Sequence, residues 1–247
     1  LTTLPTVIAV SGVVFVAAVL QRAVGFGFAL IAVPLMAFVV PTKSAVIVVI
    51  LNGAVTSAWL AVRLRHRIDR RTTGLLGIGT IGGAPIGVVV LSAISAAALR
   101  LSLGIVTCLA AGWVVLMSRR GAPPVEASPA RTVLVGVASG VLATSLATNG
   151  PPLVYELRRT GFRDDRFRAT ISAAFCVSNV IGIPLLVAAG LVTGQDVALA
   201  AAALPPCVAG IALGARLSTR MATSHFVWTV DLLLLATGAV TISRALA

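Results

Sequence analysis

Apolar runs of about 15–20 residues, the length a helix needs to cross the hydrocarbon core of a bilayer, recur along the whole chain. KSAVIVVILNGAVTSAWLAV, GLLGIGTIGGAPIGVVVL and FVWTVDLLLLATGAVTI are three of them. A signal peptide would be one such run behind a basic stretch; here there are many, and the opening residues carry no basic group. Only 11% of the 247 residues are charged and 58% are AVILMFWYC, whereas a soluble domain carries about 25% charged residues to face water. The expected fold class is therefore an all-α polytopic membrane protein.

The net charge of +12 raises the question of a nucleic-acid partner, and the distribution of the charge answers it. Fifteen of the 19 basic residues are arginines in the short connections 63–71, 118–131, 158–168 and 216–220. Basic loops between apolar runs are retained on the cytoplasmic side, so these four are expected to be cytoplasmic in a cell inner (plasma) membrane. Their expected partner is anionic lipid, not nucleic acid. Cys108, Cys176 and Cys207 lie singly inside apolar segments, a spacing that suits neither a zinc site nor a disulfide framework. No metal and no cofactor is expected.

Ser118 to Arg131, SRRGAPPVEASPAR, is the one stretch with the proline content and polarity of a linker. It divides the chain into an N-terminal part, 1–117, and a C-terminal part, 132–247, around a cytoplasmic linker, 118–131. Sliding the second part back by 127 positions without gaps places Asn179 on Asn52 (179 − 52 = 127), Asp196 on Asp69, Gly210 on Gly83 and Gly214 on Gly87. Loop charge then alternates between the copies. The basic loop 63–71 matches the uncharged turn leading to Asp196, and the arginine-rich 158–168 matches a connection with Lys43 alone. Equivalent loops on opposite sides of a membrane define two inverted-topology repeats, the architecture of many secondary transporters.

Each repeat is read as a broken pair of segments followed by three full spans. The pairs are 5–21 with 26–40 and 132–147 with 151–157. The spans are 44–62, 73–92 and 99–117, then 169–190, 197–215 and 225–243. PPLVYEL is too short to cross alone, about 10 Å at 1.5 Å per residue, so its pair is expected to dip in and return.

The break in the second pair reads Thr148-Asn149-Gly150-Pro151-Pro152. Prolines suit the first turn of a new helix, with Asn149 as its N-cap. A helix that starts inside a membrane protein turns backbone N–H groups and a positive dipole end inward, which suits a small anion. At the same 127-residue shift the first pair offers Gln21 and Arg22, followed by Gly25 and Gly27, which let backbone approach a ligand. The candidate substrate site is Gln21, Arg22, Gly25, Gly27, Asn52, Thr148, Asn149, Gly150, Pro151 and Asn179, gathered from two tips near the midplane, with no catalytic residue. Simpler readings stand beside it: Arg22 snorkelling to headgroups, an ordinary turn at Asn149, and asparagines that hydrogen-bond helix to helix.

These residues resemble the sulfite exporter TauE/SafE family. The resemblance rests on GFGFALIAVP at 25–34, on the loop RLRHRIDRRT leading into GIGTIGGAPIG, and on GVASGVLATSLATNGPPLVYEL in the second half. It implies export of sulfite or small organosulfur anions such as sulfoacetate. Alternating access is the mechanism expected from the repeats, with a static anion channel built on the same hairpins as the alternative. Asp231 is the candidate coupling acid, or a static partner of Arg100; Glu156 reads as an interfacial ion pair. With no histidine inside a span and no nucleophile beside a base, the chain is not read as an enzyme. The oligomeric state is left open, a homodimer included.

Overall fold

A computed structural model describes residues 3–24, 26–119 and 125–217. The described residues form nine α-helices: α1 Leu4–Val24, α2 Phe28–Met36, α3 Thr42–Arg63, α4 Arg70–Ala93, α5 Ala96–Arg119, α6 Pro129–Leu146, α7 Gly150–Arg159, α8 Asp164–Ala188 and α9 Gly194–Leu217. Six of these, α1, α3, α4, α6, α8 and α9, are long and apolar enough to cross a membrane. α5 holds a further shorter apolar stretch, Ala96–Leu109. Helix is the form such segments take because, away from water, only intrasegment hydrogen bonds satisfy the backbone. The expected last span, 225–243, lies outside the described residues, together with Asp231; so does Gly25.

Both breaks fall where the sequence places them, but the long arms are longer than a half-crossing requires. α1 has 21 residues and α6 has 18, roughly 31 and 27 Å at 1.5 Å per residue. The short arms α2 and α7 have 9 and 10 residues, roughly half a bilayer core.

The chain divides into two compact units. Unit 1 comprises Leu1–Asn52, Ile94–Gly121 and Thr193–Ala247, and unit 2 comprises Gly53–Ala93 and Ala122–Val192. These units are not the sequence halves. α4, from the first half, packs with α6 and α8; α9, from the second half, packs with α1.

Glycine makes both exchanged contacts. In unit 2 a Cβ on Gly83 would run into the Val137 carbonyl oxygen, and one on Gly87 into the Val141 carbonyl and the Thr144 hydroxyl. In unit 1 a Cβ on Gly210 would lie 2.6 Å from the Phe15 carbonyl oxygen, and one on Gly214 2.6 Å from that of Val19 and 2.8 Å from Arg22 Cβ. Gly210 follows Gly83 by 127 positions (210 − 83 = 127), yet Val137 follows Phe15 by 122 (137 − 15 = 122). The two contacts match only if the α1/α6 register is 122 while the α4/α9 register is 127. The five-residue difference is absorbed between the breaks, Gly27 to Asn149 (149 − 27 = 122), and the asparagines 52 and 179.

Within unit 2 the helix directions establish what α7 does. Gly79, Gly83 and Gly87 of α4 meet residues 133, 137 and 141 of α6 in ascending order, so these helices are parallel. Asp69, just before α4, meets Arg166 and Thr170 near the start of α8, and Gly77 meets Val177 further along. α4 and α8 are parallel as well. Two parallel helices joined in sequence, α6 and α8, require the chain between them to return, and α7 is the return arm. Its base is tied to the start of α6: Arg131 Nε donates to Glu156 Oε2 at 3.0 Å, Thr132 Oγ1 to Glu156 Oε1 at 2.8 Å, and the Val125 amide to the Arg159 carbonyl at 2.9 Å.

Candidate functional site

At the break in unit 2, α6 ends on Ala147 in the left-handed conformation, φ 57°. A left-handed alanine costs about 1–2 kcal/mol relative to a right-handed one; the Thr148 amide donates back to the Leu142 carbonyl at 3.1 Å to close the turn. Thr148, Asn149 and Gly150 are buried, and Thr148 Oγ1 donates to the Leu146 carbonyl at 2.6 Å.

Asn149 occupies the N-cap position of α7 but makes no capping bond. The reason is chemical. An N-cap side chain accepts from the N–H groups of the second and third helical residues, and here these are Pro151 and Pro152, which have none. Of the four donors that a helix start normally leaves unclaimed, two are deleted. The remaining two, the Asn149 and Gly150 amides, find no backbone acceptor among the described residues. They stand with the Asn149 side-chain amide in a nearly dry place, Asn149 being 9% exposed. α7 thus starts at buried residues, with a smaller donor set than four free amides.

The break in unit 1 is built differently. Gly27 sits at the N-cap of α2 with φ 102°, a left-handed geometry that glycine alone adopts without cost. α2 is apolar throughout and largely buried. Gln21 is 5% exposed and its Oε1 has no hydrogen-bond partner. Arg22 is half-buried, in the last turn of α1, with its Cβ against Gly214 of α9. Arg22 precedes Thr144 by 122 positions (144 − 22 = 122), the spacing that also separates Phe15 from Val137. Thr144 donates to the Ala84 carbonyl at 2.8 Å where α4, α6 and α8 converge.

Both asparagines use their donors between helices. Asn52, fully buried, donates from Nδ2 to the Val48 carbonyl at 3.1 Å and the Ala200 carbonyl at 3.4 Å, leaving its Oδ1 without a partner. Asn179 donates to Ser57 Oγ at 3.3 Å. This is the bridging role, and what Asn52 has to offer a ligand is an acceptor, not a donor.

Sequence reasoning read Glu156 as an ion pair without naming its partner, tied Arg100 only to Asp231, and left Thr144 out. Glu156, 0% exposed, pairs with Arg131 and Thr132 at the hairpin base, partners 25 and 24 residues away that no local signal links to it. Thr144 joins three helices, also without a local signal. Arg100 donates to Thr42 Oγ1 at 3.1 Å; Asp231, its suggested partner, lies outside the described residues.

A family model described as "Sulfite exporter TauE/SafE" matches residues 10–241. The "Probable sulfite/organosulfonate exporter TauE" of Cupriavidus necator (strain ATCC 17699 / DSM 428 / KCTC 22496 / NCIMB 10442 / H16 / Stanier 337) is 28% identical over 203 residues, covering 79% of this chain and 78% of that protein. No solved structure matches the chain.

Proposed function

The chain belongs to the sulfite exporter TauE/SafE family, and from that premise we propose that it is an inner-membrane exporter of sulfite or a small organosulfonate, working by alternating access. The observation that carries the proposal is the buried start of α7. Two backbone amides that find no backbone acceptor among the described residues stand beside the Asn149 side chain at the positive end of a helix dipole, and leaving such amides buried and unmet costs about 1–3 kcal/mol each. A monoanionic oxyanion offers acceptors to all of them, and the dipole adds to its binding. The relative's printed name, a probable sulfite/organosulfonate exporter, supports the same ligand chemistry.

In this proposal Thr148, Asn149, Gly150 and Pro151 form the binding group of unit 2. Arg22, Gln21 and Gly27, at the break of unit 1, are a candidate anion-holding group of their own, the arginine as a planar fork suited to oxyanions. The basic loops face the cytoplasm, from which the anion is taken. Export needs no obligatory ion coupling on energetic grounds, because an inside-negative potential contributes about 2.3 kcal/mol per charge per 100 mV. A static channel is the competing reading, and substrate counterflow separates the two, since a channel has no exchange step.

The testing experiment is the melting temperature of the purified protein titrated with sulfite, sulfoacetate, taurine, sulfate, acetate and chloride. A ligand that binds the native state must raise it with concentration. The expected result is a saturable rise with sulfite or sulfoacetate that Arg22→Ala abolishes. An unchanged response in Arg22→Ala would remove Arg22 from the site, and no response to any sulfur oxyanion would overturn the substrate class.

A further inference from the structure

The helix-start end of unit 2 is unusually positive and unusually well fixed. α4, α6 and α8 are parallel and all begin there, which adds three positive dipole ends. The segments 63–71 and 156–168, joined at this end by Asp69 with Arg166 and Thr170, hold ten arginines against the four carboxylates Asp69, Glu156, Asp164 and Asp165. Several of the guanidinium groups are held by rings. Arg158 lies 4.5 Å from the Phe167 ring centre, Arg166 4.4 Å from Phe162 and Arg63 5.2 Å from Trp59. An aromatic face anchors a cation without cancelling its charge.

Arg158 reports the crowding. It lies outside the spans, is half-buried, and its proton is held less tightly than usual, first because of burial, then because of Arg163 and Arg168, with Asp164 acting in the opposite sense. Like charges pressed together against rings are relieved by an anion between them. The cluster also sits at the base of the return arm whose other end is the candidate anion site, roughly 15 Å away along ten residues at 1.5 Å each.

Building on the transport reading, we infer that Arg158, Arg163 and Arg168 form an oxyanion-collecting vestibule that takes the exported anion from the cytoplasm before it reaches the start of α7. Its work is electrostatic steering. A positive mouth raises the local anion concentration and the capture rate by factors of ten or more, an effect that salt removes.

The test is efflux of labelled sulfite from the full-length protein in phosphatidylcholine vesicles, comparing wild type, the double variant Arg158→Gln/Arg163→Gln, and Arg158→Lys. At about 20 mM salt the double variant should show a KM raised roughly tenfold with an unchanged saturating rate, and at about 500 mM salt it should match wild type. Arg158→Lys, which keeps the charge and loses the flat stack, should keep the wild-type KM. An unaltered KM in the double variant overturns the vestibule. A defect that persists at high salt, with a lowered melting temperature, overturns it in favour of a structural role for the ring contacts. A defect seen only after adding phosphatidylglycerol to the vesicles assigns the cluster to lipid phosphate instead and overturns it as well. A wild type that moves no sulfur oxyanion at all sinks the transport reading itself, which is a different failure from a transporting wild type with an indifferent variant.

Discussion

The α4–α6 pair of unit 2 and the α1–α9 pair of unit 1 are both close glycine contacts between parallel helices, made to two depths. In α4–α6 both helices bring glycine: Gly79, Gly83 and Gly87 face Gly136 and Gly140, and a Cβ on any of the five would collide with backbone. In α1–α9 only α9 brings glycine to the contact, and the side chains of Ala18 and Arg22 stand against it. Small residues let helix backbones approach where no hydrophobic effect drives helices together, so the depth of contact measures how much dispersion each pair gains. The deep pair carries the break at Asn149. The shallow pair leaves room for a long cation at the position that in the other unit is Thr144.

The most severe way to break this comparison is to fill the glycines. Gly83→Ala should cost about 3 kcal/mol or more, because a Cβ there lies 2.1 Å from the Val137 carbonyl oxygen, whereas Gly210→Ala, 2.6 Å from that of Phe15, should cost about 1–2 kcal/mol. Melting temperatures of the two variants in one detergent check the order, and equal losses would mean that the pairs do not differ in depth.

The return arms differ as well. α7 is latched by the Arg131–Glu156 pair, with side chains 26% and 1% exposed, while α2 carries no charged residue. Glu156→Gln should cost about 2 kcal/mol, below the full value for breaking a buried pair because Arg131 retains access to water. It should also raise proteolysis or hydrogen exchange at α7 and leave α2 as it was. Exchange rising equally in both arms would contradict the latch.

The turns at the two breaks provide an opposite-signed pair. Gly27→Ala should cost about 1–2 kcal/mol through its φ of 102° alone, since a Cβ there meets nothing within 4 Å. Ala147→Gly should stabilise by up to about 1 kcal/mol by relieving its left-handed strain. Loss of anion binding in a more stable Ala147→Gly would mark the strained turn as part of the site.

The smallest effect concerns the helix starts. Asp69 caps α4, with its Oδ1 accepting from the Thr72 amide at 2.9 Å, whereas Asp196 is the third residue of α9 and reaches back to the Thr193 amide at 3.0 Å. Asp69→Ala should cost about 1 kcal/mol, and Asp69→Asn only a few tenths, because asparagine caps equally well and the half-exposed ion pair contributes little. Burial alone would raise the Asp69 pKa; bonds from Thr72 and Arg166 outweigh it, and the folded value lies below 3.8. Its contribution is therefore present above the unfolded pKa and lost as pH falls through the lower folded one. The gap between Asp69→Ala and wild type should therefore narrow only as pH falls below 3.8, the ordinary value from which the folded pKa is lowered.

What the sequence determined by itself is the set of parts. The apolar helices, the two breaks and the return of α7 follow from segment length and from proline and glycine positions. At Asn149 the expected capping bond does not form, since two prolines leave nothing for it to accept. These are local properties, because in an apolar medium each segment must satisfy its own backbone. Tertiary structure decided the partners. A gap-free shift sets Arg22 on Asn149, but the glycine contact of Arg22 with Gly214 has its like at Thr144 with Gly87; Asp69 and Asp196 coincide in the shift and sit three helical positions apart in their caps. Glu156 finds Arg131 across 25 residues, and the glycine faces of α4 and α9 each find a helix from the other half of the chain. A glycine face specifies only that some backbone will come close. Which one arrives depends on the shape of every other surface competing for it, and no stretch of sequence contains that information alone.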